Sequence, residues 1–118
     1  MKKNKHDPGD ICSQSAMVAV KDALETLNGT WKLRILMALS EGPKRFKQIS
    51  KEVEGITDRM LSKELKDLEA HHLVTRTVYD TFPPTVEYAT TEHTSSLHGV
   101  MHALKEWGVL HRKKVLGK

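Results

Sequence analysis

The feature that most constrains this chain is a change of hydrophobic period at His71-His72. Before it, apolar residues recur at three- and four-residue steps, the spacing that gathers them on one face of a helix. After it, Val74, Arg76 and Val78 interleave with Thr75, Thr77 and Tyr79, a β-branched alternation that suits a strand. A chain that passes from short helices to one alternating stretch and back to a helix has few ways to close a single core.

The punctuation sharpens this. Met17, Val20, Leu24 and Leu27 predict an amphipathic helix over about 15–27, stopped by Asn28-Gly29. Thr30 is placed to cap a second helix that carries Trp31, Ile35, Leu36 and Leu39 inward and ends at Gly42-Pro43. Phe46, Ile49 and Val53 mark a third, ended by Gly55, and Thr57 caps a fourth with Met60, Leu61, Leu65 and Leu68 on its inner face. Asp80 to Pro84 reads as a hairpin turn, with Val86 to Ala89 as the returning strand. A last helix, about 92–114, shows Leu97, Val100, Met101, Leu104 and Trp107 on one stripe. Residues 1–10 combine lysines with Pro8 and Gly9 and lack a stripe to bury, so they are expected to be a disordered basic tail, with 11–118 forming one domain.

Three helices followed by a two-stranded hairpin, with a glycine turn between a short helix and a longer one, is the order of a winged helix-turn-helix. The expected fold is therefore mainly α with a small β-hairpin, and with extra helices at both ends. The fourth helix carries the chemistry. Arg59, Lys63 and Lys66 fall within about 60° of one another at 100° per residue, opposite Leu61, Leu65 and Leu68. Asp58, Glu64, Asp67 and Glu69 lie on the flanks and Ser62 borders the ridge.

A cationic ridge on one helix suits the major groove, where guanine acceptors face Arg or Lys and hydroxyls such as those of Thr57 and Ser62 bond phosphates or bases. The competing reading is a solvated face laced with ion pairs. Lys44, Arg45, Lys47 and Lys51 just upstream tilt the balance, since they supply charge for crossing a phosphate backbone. The formal charge of +4 agrees with an anionic partner, double-stranded DNA. The candidate wing, with Tyr79 and Thr85 as contacts, is poor in charge and has only Arg76 near it.

Other classes are disfavoured. No apolar run approaches the roughly 20 residues that span a bilayer, and Met1-Lys2-Lys3-Asn4-Lys5 is not followed by a signal-peptide core, so no membrane partner and a cytoplasmic location are expected. There is no nucleophile with a paired base and no phosphate loop, so no enzyme and no cofactor are expected. His98 and His102 have the spacing of zinc ligands, yet no carboxylate or cysteine joins them at a confirming distance in sequence, and no metal is expected. Cys12 is the single cysteine and cannot form an intrachain disulfide.

The segments Leu27-Asn28-Gly29-Thr30-Trp31, Gly42-Pro43-Lys44-Arg45-Phe46, Gly55-Ile56-Thr57, Leu61 through Leu65 to Leu68-Glu69, and above all Val78-Tyr79 followed by Pro83-Pro84 and Val86-Glu87-Tyr88 resemble the HxlR-type winged helix regulators, which are related to the MarR group. The resemblance spans about Cys12 to Trp107. It implies a homodimer paired through its first and last helices, with one winged helix per half of a palindromic site. It also implies, as in several members, sensing of oxidants or electrophiles through a cysteine near the N-terminus, where Cys12 stands. Thr85 stands where the family often carries a basic residue. An inert thiol at Cys12, control by a small-molecule effector at the dimer interface, and a winged helix that binds protein are the alternatives.

Overall fold

Ile35, Leu36 and Leu39, on the eight-residue helix α2 (Lys32–Leu39), are almost wholly buried and form the centre on which the other elements close. The computed structural model describes residues 11–118, and the tail expected over residues 1–10 lies outside them. Around α2 pack α3 (Phe46–Glu52), α4 (Asp58–Ala70) and an antiparallel hairpin of β1 (Val74–Tyr79) and β2 (Thr85–Thr90). Helix α1 (Gln14–Thr26) precedes this unit; a 3-10 turn over His93–Leu97 and α5 (His98–Leu116) follow it.

The core joins Ile49 and Val53 of the α3 end, Leu61, Leu65 and Leu68 of α4, and Leu73 and Val74 at the root of the hairpin. Each such side chain contributes about 1.5–3 kcal/mol through removal from water. The hairpin register pairs Val74 with Thr90 at the root and Tyr79 with Thr85 near the tip. Its root is buried and the rest of β1 is exposed, so the hairpin projects from the core. Reciprocal backbone bonds between Lys44 and Tyr88, at 2.9 and 2.8 Å, add a single-residue bridge to β2 just before α3.

Two boundaries differ from expectation. Thr30 does not cap α2: Trp31 takes the N-cap position in helical geometry, and its carbonyl accepts from Ile35 N–H at 2.9 Å. That bond draws Trp31 into the first turn and leaves Thr30 in the preceding loop. The last helix also opens as a 3-10 turn before it becomes α5. Thr94 is buried and donates to Leu73 O at 2.5 Å, while Thr91 donates to His72 O at 2.7 Å, so the tight turn is moored to the α4–β1 junction.

The stripes of the two outer helices stay out of the core. α1 has no buried residue, and Met17, Val20 and Leu24 are exposed. In α5 only Met101 is buried, while Val100, Leu104 and Trp107 are exposed.

A buried ion pair joins two helices of the packed unit. Lys32 of α2 is buried, and its Nζ donates to Glu64 Oε1 of α4 at 2.5 Å and to Asn28 Oδ1 at 3.0 Å, with Asp67 Oδ2 at 3.4 Å. Burial pulls the Lys32 ammonium down, but hydrogen bonds and charge from Glu64 and then Asp67 outweigh it and hold its pKa above the ordinary lysine value. Removing one partner would strand the other charge. Lys32→Ala is expected to cost about 3–5 kcal/mol in urea denaturation, whereas Lys32→Met with Glu64→Leu should recover most of the loss. Because the folded-state value is raised, the stabilisation should hold across neutral pH and fall only as pH climbs past 10.5.

Candidate DNA-binding interface

The turn between α3 and α4 fixes how the helix-turn-helix presents its outer face. Gly55 adopts φ +89°, which a side chain would strain, and Ile56 next to it is buried. Arg34 of α2 braces the turn: its guanidinium lies 5.0 Å from the Trp31 ring centre and donates to Glu54 O at 2.9 Å. Thr57 then caps α4 as expected, accepting from Met60 N–H at 3.1 Å.

With Leu61, Leu65 and Leu68 turned inward, Arg59, Lys63 and Lys66 emerge on the exposed side of α4. Together with Ser62 and Asp67 they line one open depression of about 380 Å³. Four of the residues singled out in the sequence are thus brought to one surface. The acids are less evenly spread than the helical projection suggested. Glu64 is not on the flank of the ridge but buried against Lys32, and the Asp67 carboxylate also faces that ammonium. Lys32 therefore removes part of the negative charge from beside the ridge. Nothing in the sequence marked it for that, because a lysine beside Trp31 reads as an exposed residue.

Arg45, Lys47 and Lys51 are exposed around α3. Arg45 is the N-cap residue, and its N–H donates to Gln48 Oε1 at 2.9 Å. Lys47 lies 3.6 Å from Asp58 Oδ2 yet keeps 86% of its side chain exposed. Such a surface pair is worth about 0–1 kcal/mol, so a phosphate can displace it. Lys44 departs from the sequence reading. It is buried, bonded to Glu41 at 2.6 Å and to Glu52, so its charge is spent inside the protein rather than on a phosphate backbone. The bonds from Glu41 and then Glu52 raise its pKa, and Lys44 in turn lowers that of Glu41.

On the hairpin, Tyr79 is exposed, while Thr85 is half-buried with its hydroxyl 2.8 Å from that of Thr81. Thr81 also donates to Pro83 O at 2.8 Å, closing the turn on itself. Cys12 is exposed and directly precedes Ser13, the N-cap of α1, so it lies outside the helix-turn-helix. No group of three or more His, Cys, Asp or Glu is arranged to hold a metal ion among the described residues. No helix among them is long and apolar enough to cross a membrane.

A braced helix-turn-helix with an outward basic helix and a projecting hairpin defines a DNA-binding transcriptional regulator of the winged helix class. The chain belongs to the HxlR-like helix-turn-helix family, whose model matches residues 26–115. It is 38% identical over 100 residues to the HTH-type transcriptional regulator YtcD of Bacillus subtilis, covering 85% of this chain and 79% of that one. It resembles the redox regulator HypR in its reduced form at 35% identity with a TM-score of 0.78, over 85% of this chain and 99% of that one. The reduced form of the regulator YodB from B. subtilis is similar at 31% identity and a TM-score of 0.69, over 82% and 91% of the two chains.

Asp58 sets a limit on this surface, since its carboxylate holds Lys47 and accepts from Ser50 at 3.1 Å. Asp58→Asn is expected to tighten DNA binding at low salt and to steepen the salt dependence by about one ion, measured by fluorescence anisotropy at several salt concentrations.

Proposed function

We propose that the chain works as a homodimer on a palindromic DNA site, with α4 of each subunit in the major groove. The observation that carries the reading is the single outward surface shared by Arg59, Ser62, Lys63 and Lys66. Arg59, in the first turn, reaches base edges; Lys63 and Lys66 follow the groove; Thr57, Arg45, Lys47 and Lys51 hold flanking phosphates. Tyr79 and Thr85 bring the hairpin against the adjacent backbone.

The dimer is supported by the apolar surface that α1 and α5 leave outside the core, including Leu24, Leu104, Trp107 and Leu110. Exposed apolar area of this extent on two long helices is what pairing buries. Two half-sites then lie one helical turn apart, about 34–36 Å, on one face of the duplex.

Cys12 is the candidate for control of this dimer. It is exposed and abuts α1, an element that the dimer uses. HypR is described as a redox regulator in reduced and oxidised forms, and YodB in reduced and diamide-treated forms. Loss of two thiol hydrogens to an oxidant such as a disulfide joins the Cys12 residues of two subunits, or attack of the Cys12 thiolate on a small disulfide leaves Cys12 in a mixed disulfide and releases the other small thiol. Either product alters the pairing of α1.

Mobility-shift titration with wild type at two salt concentrations should give cooperative, strongly salt-dependent binding to a palindromic duplex. Failure to bind any duplex at low salt would overturn the reading. Arg59→Ala is expected to relax base preference at a cost of about 1–3 kcal/mol on the preferred site, whereas Lys47→Ala should weaken all sequences alike. Equal losses on specific and nonspecific DNA in both variants would contradict the division of roles. A monomer at micromolar concentration in sedimentation would contradict the dimer, and diamide treatment that leaves DNA binding unchanged would remove Cys12 from its control.

A further inference from the structure

We propose that Phe82, at the tip of the hairpin, is an apolar wedge that enters the minor groove beside α4 and partly unstacks one base step of the bound DNA. The proposal rests on the reading that α4 occupies the major groove.

Phe82 has 103% of its reference area exposed, so none of the described residues covers it. The turn that carries it is internally satisfied. Thr81 N–H donates to Tyr79 O at 2.9 Å, and the Thr81 hydroxyl donates to Pro83 O at 2.8 Å beside that of Thr85. Pro83 and Pro84 follow, each with its φ confined by the ring, so the ring of Phe82 is presented by a segment with little freedom left to lose on binding.

The chemistry of the tip points the same way. From Tyr79 to Thr85 there is no Arg or Lys, and Asp80 is the one charged side chain, so the tip has no cation to hold a phosphate and only the hydroxyls of Tyr79 and Thr85 for backbone contacts. What it offers a duplex is an aromatic face, and apolar side chains such as Phe enter the minor groove by wedging between base steps. Asp80 opposes the approach, and Arg59, Lys63 and Lys66 on α4 supply the attraction that brings the tip in.

Reach is adequate. β1 begins at Val74, close behind the end of α4 at Ala70, and runs six residues to Tyr79. At about 3.3 Å per residue this carries the tip roughly 20 Å from the junction. With a helical turn of about 34 Å, a neighbouring groove lies about 17 Å along the duplex. The wedge would add preference for a step that unstacks readily, such as TA or CA/TG, at a position that α4 does not touch.

The test uses the full chain and a duplex enriched from a random library by the wild-type protein, with 2-aminopurine placed in turn at each flanking position. Wild type is expected to raise fluorescence several-fold at one flanking step and to bend the duplex in a phased-mobility assay. Phe82→Ala should abolish both signals and weaken binding about tenfold while keeping the preference at the α4 positions, and Phe82→Leu should restore part of each. Equal fluorescence, bend and affinity for wild type and Phe82→Ala would overturn the wedge while leaving the α4 reading intact. So would loss of the dimer in sedimentation of Phe82→Ala, which would assign the ring to a protein contact. If wild type enriches no duplex at all, the α4 reading fails first and the wedge with it.

Discussion

The outward presentation of the basic face of α4 depends on the buried contact between Lys32 and Glu64. A pair taken out of water returns little net stability against an apolar replacement, because desolvation consumes most of the attraction. Its value here lies in register. Leucines along α4 would tolerate small rotations of the helix, since apolar contact has no direction, but a carboxylate that must meet one ammonium does not. Holding Glu64 inward holds Arg59, Lys63 and Lys66 outward, and the same ammonium also pairs with the carboxylate of Asp67, which lines the depression beside them. Packing geometry and surface charge are therefore set by one group.

A second chain of contacts joins this unit to the outer helices. Thr94 and Thr91 bond the carbonyls of Leu73 and His72, where α4 gives way to the hairpin. His72 adopts φ +61°, so this junction is a sharp and specific turn. The start of α5 is thereby tied to the end of α4 and the root of the hairpin. A displacement of the start of α5 would therefore reach the end of α4 and the root of the hairpin through these backbone acceptors.

Much of this was legible beforehand. The helix boundaries followed glycine, proline and capping residues, and the hairpin followed the change to alternation, because these signals act over a few residues. The basic ridge was legible for the same reason: Arg59, Lys63 and Lys66 share a face by helical periodicity alone. Lys44 and Glu64 were not. Both read as surface charges among other surface charges, and each is buried by a partner distant in sequence or on another element: Glu52 for Lys44, Lys32 for Glu64. Thr30 failed as a cap because a helix start depends on which carbonyl the next turn finds, and Trp31 provided it.

The sequence by itself determined the order of elements, the family and the basic face shared by Arg59, Lys63 and Lys66, since periodicity, punctuation and motif spacing are properties of neighbours along the chain. Only the tertiary structure decided which charges remain on the surface. Lys32 and Lys44 are consumed within the fold, Glu64 is withdrawn from the ridge, and Phe82 is left uncovered by the described residues. The reason is physical: the state of a charged or aromatic side chain depends on solvent access and on partners within a few ångströms, and the fold sets both.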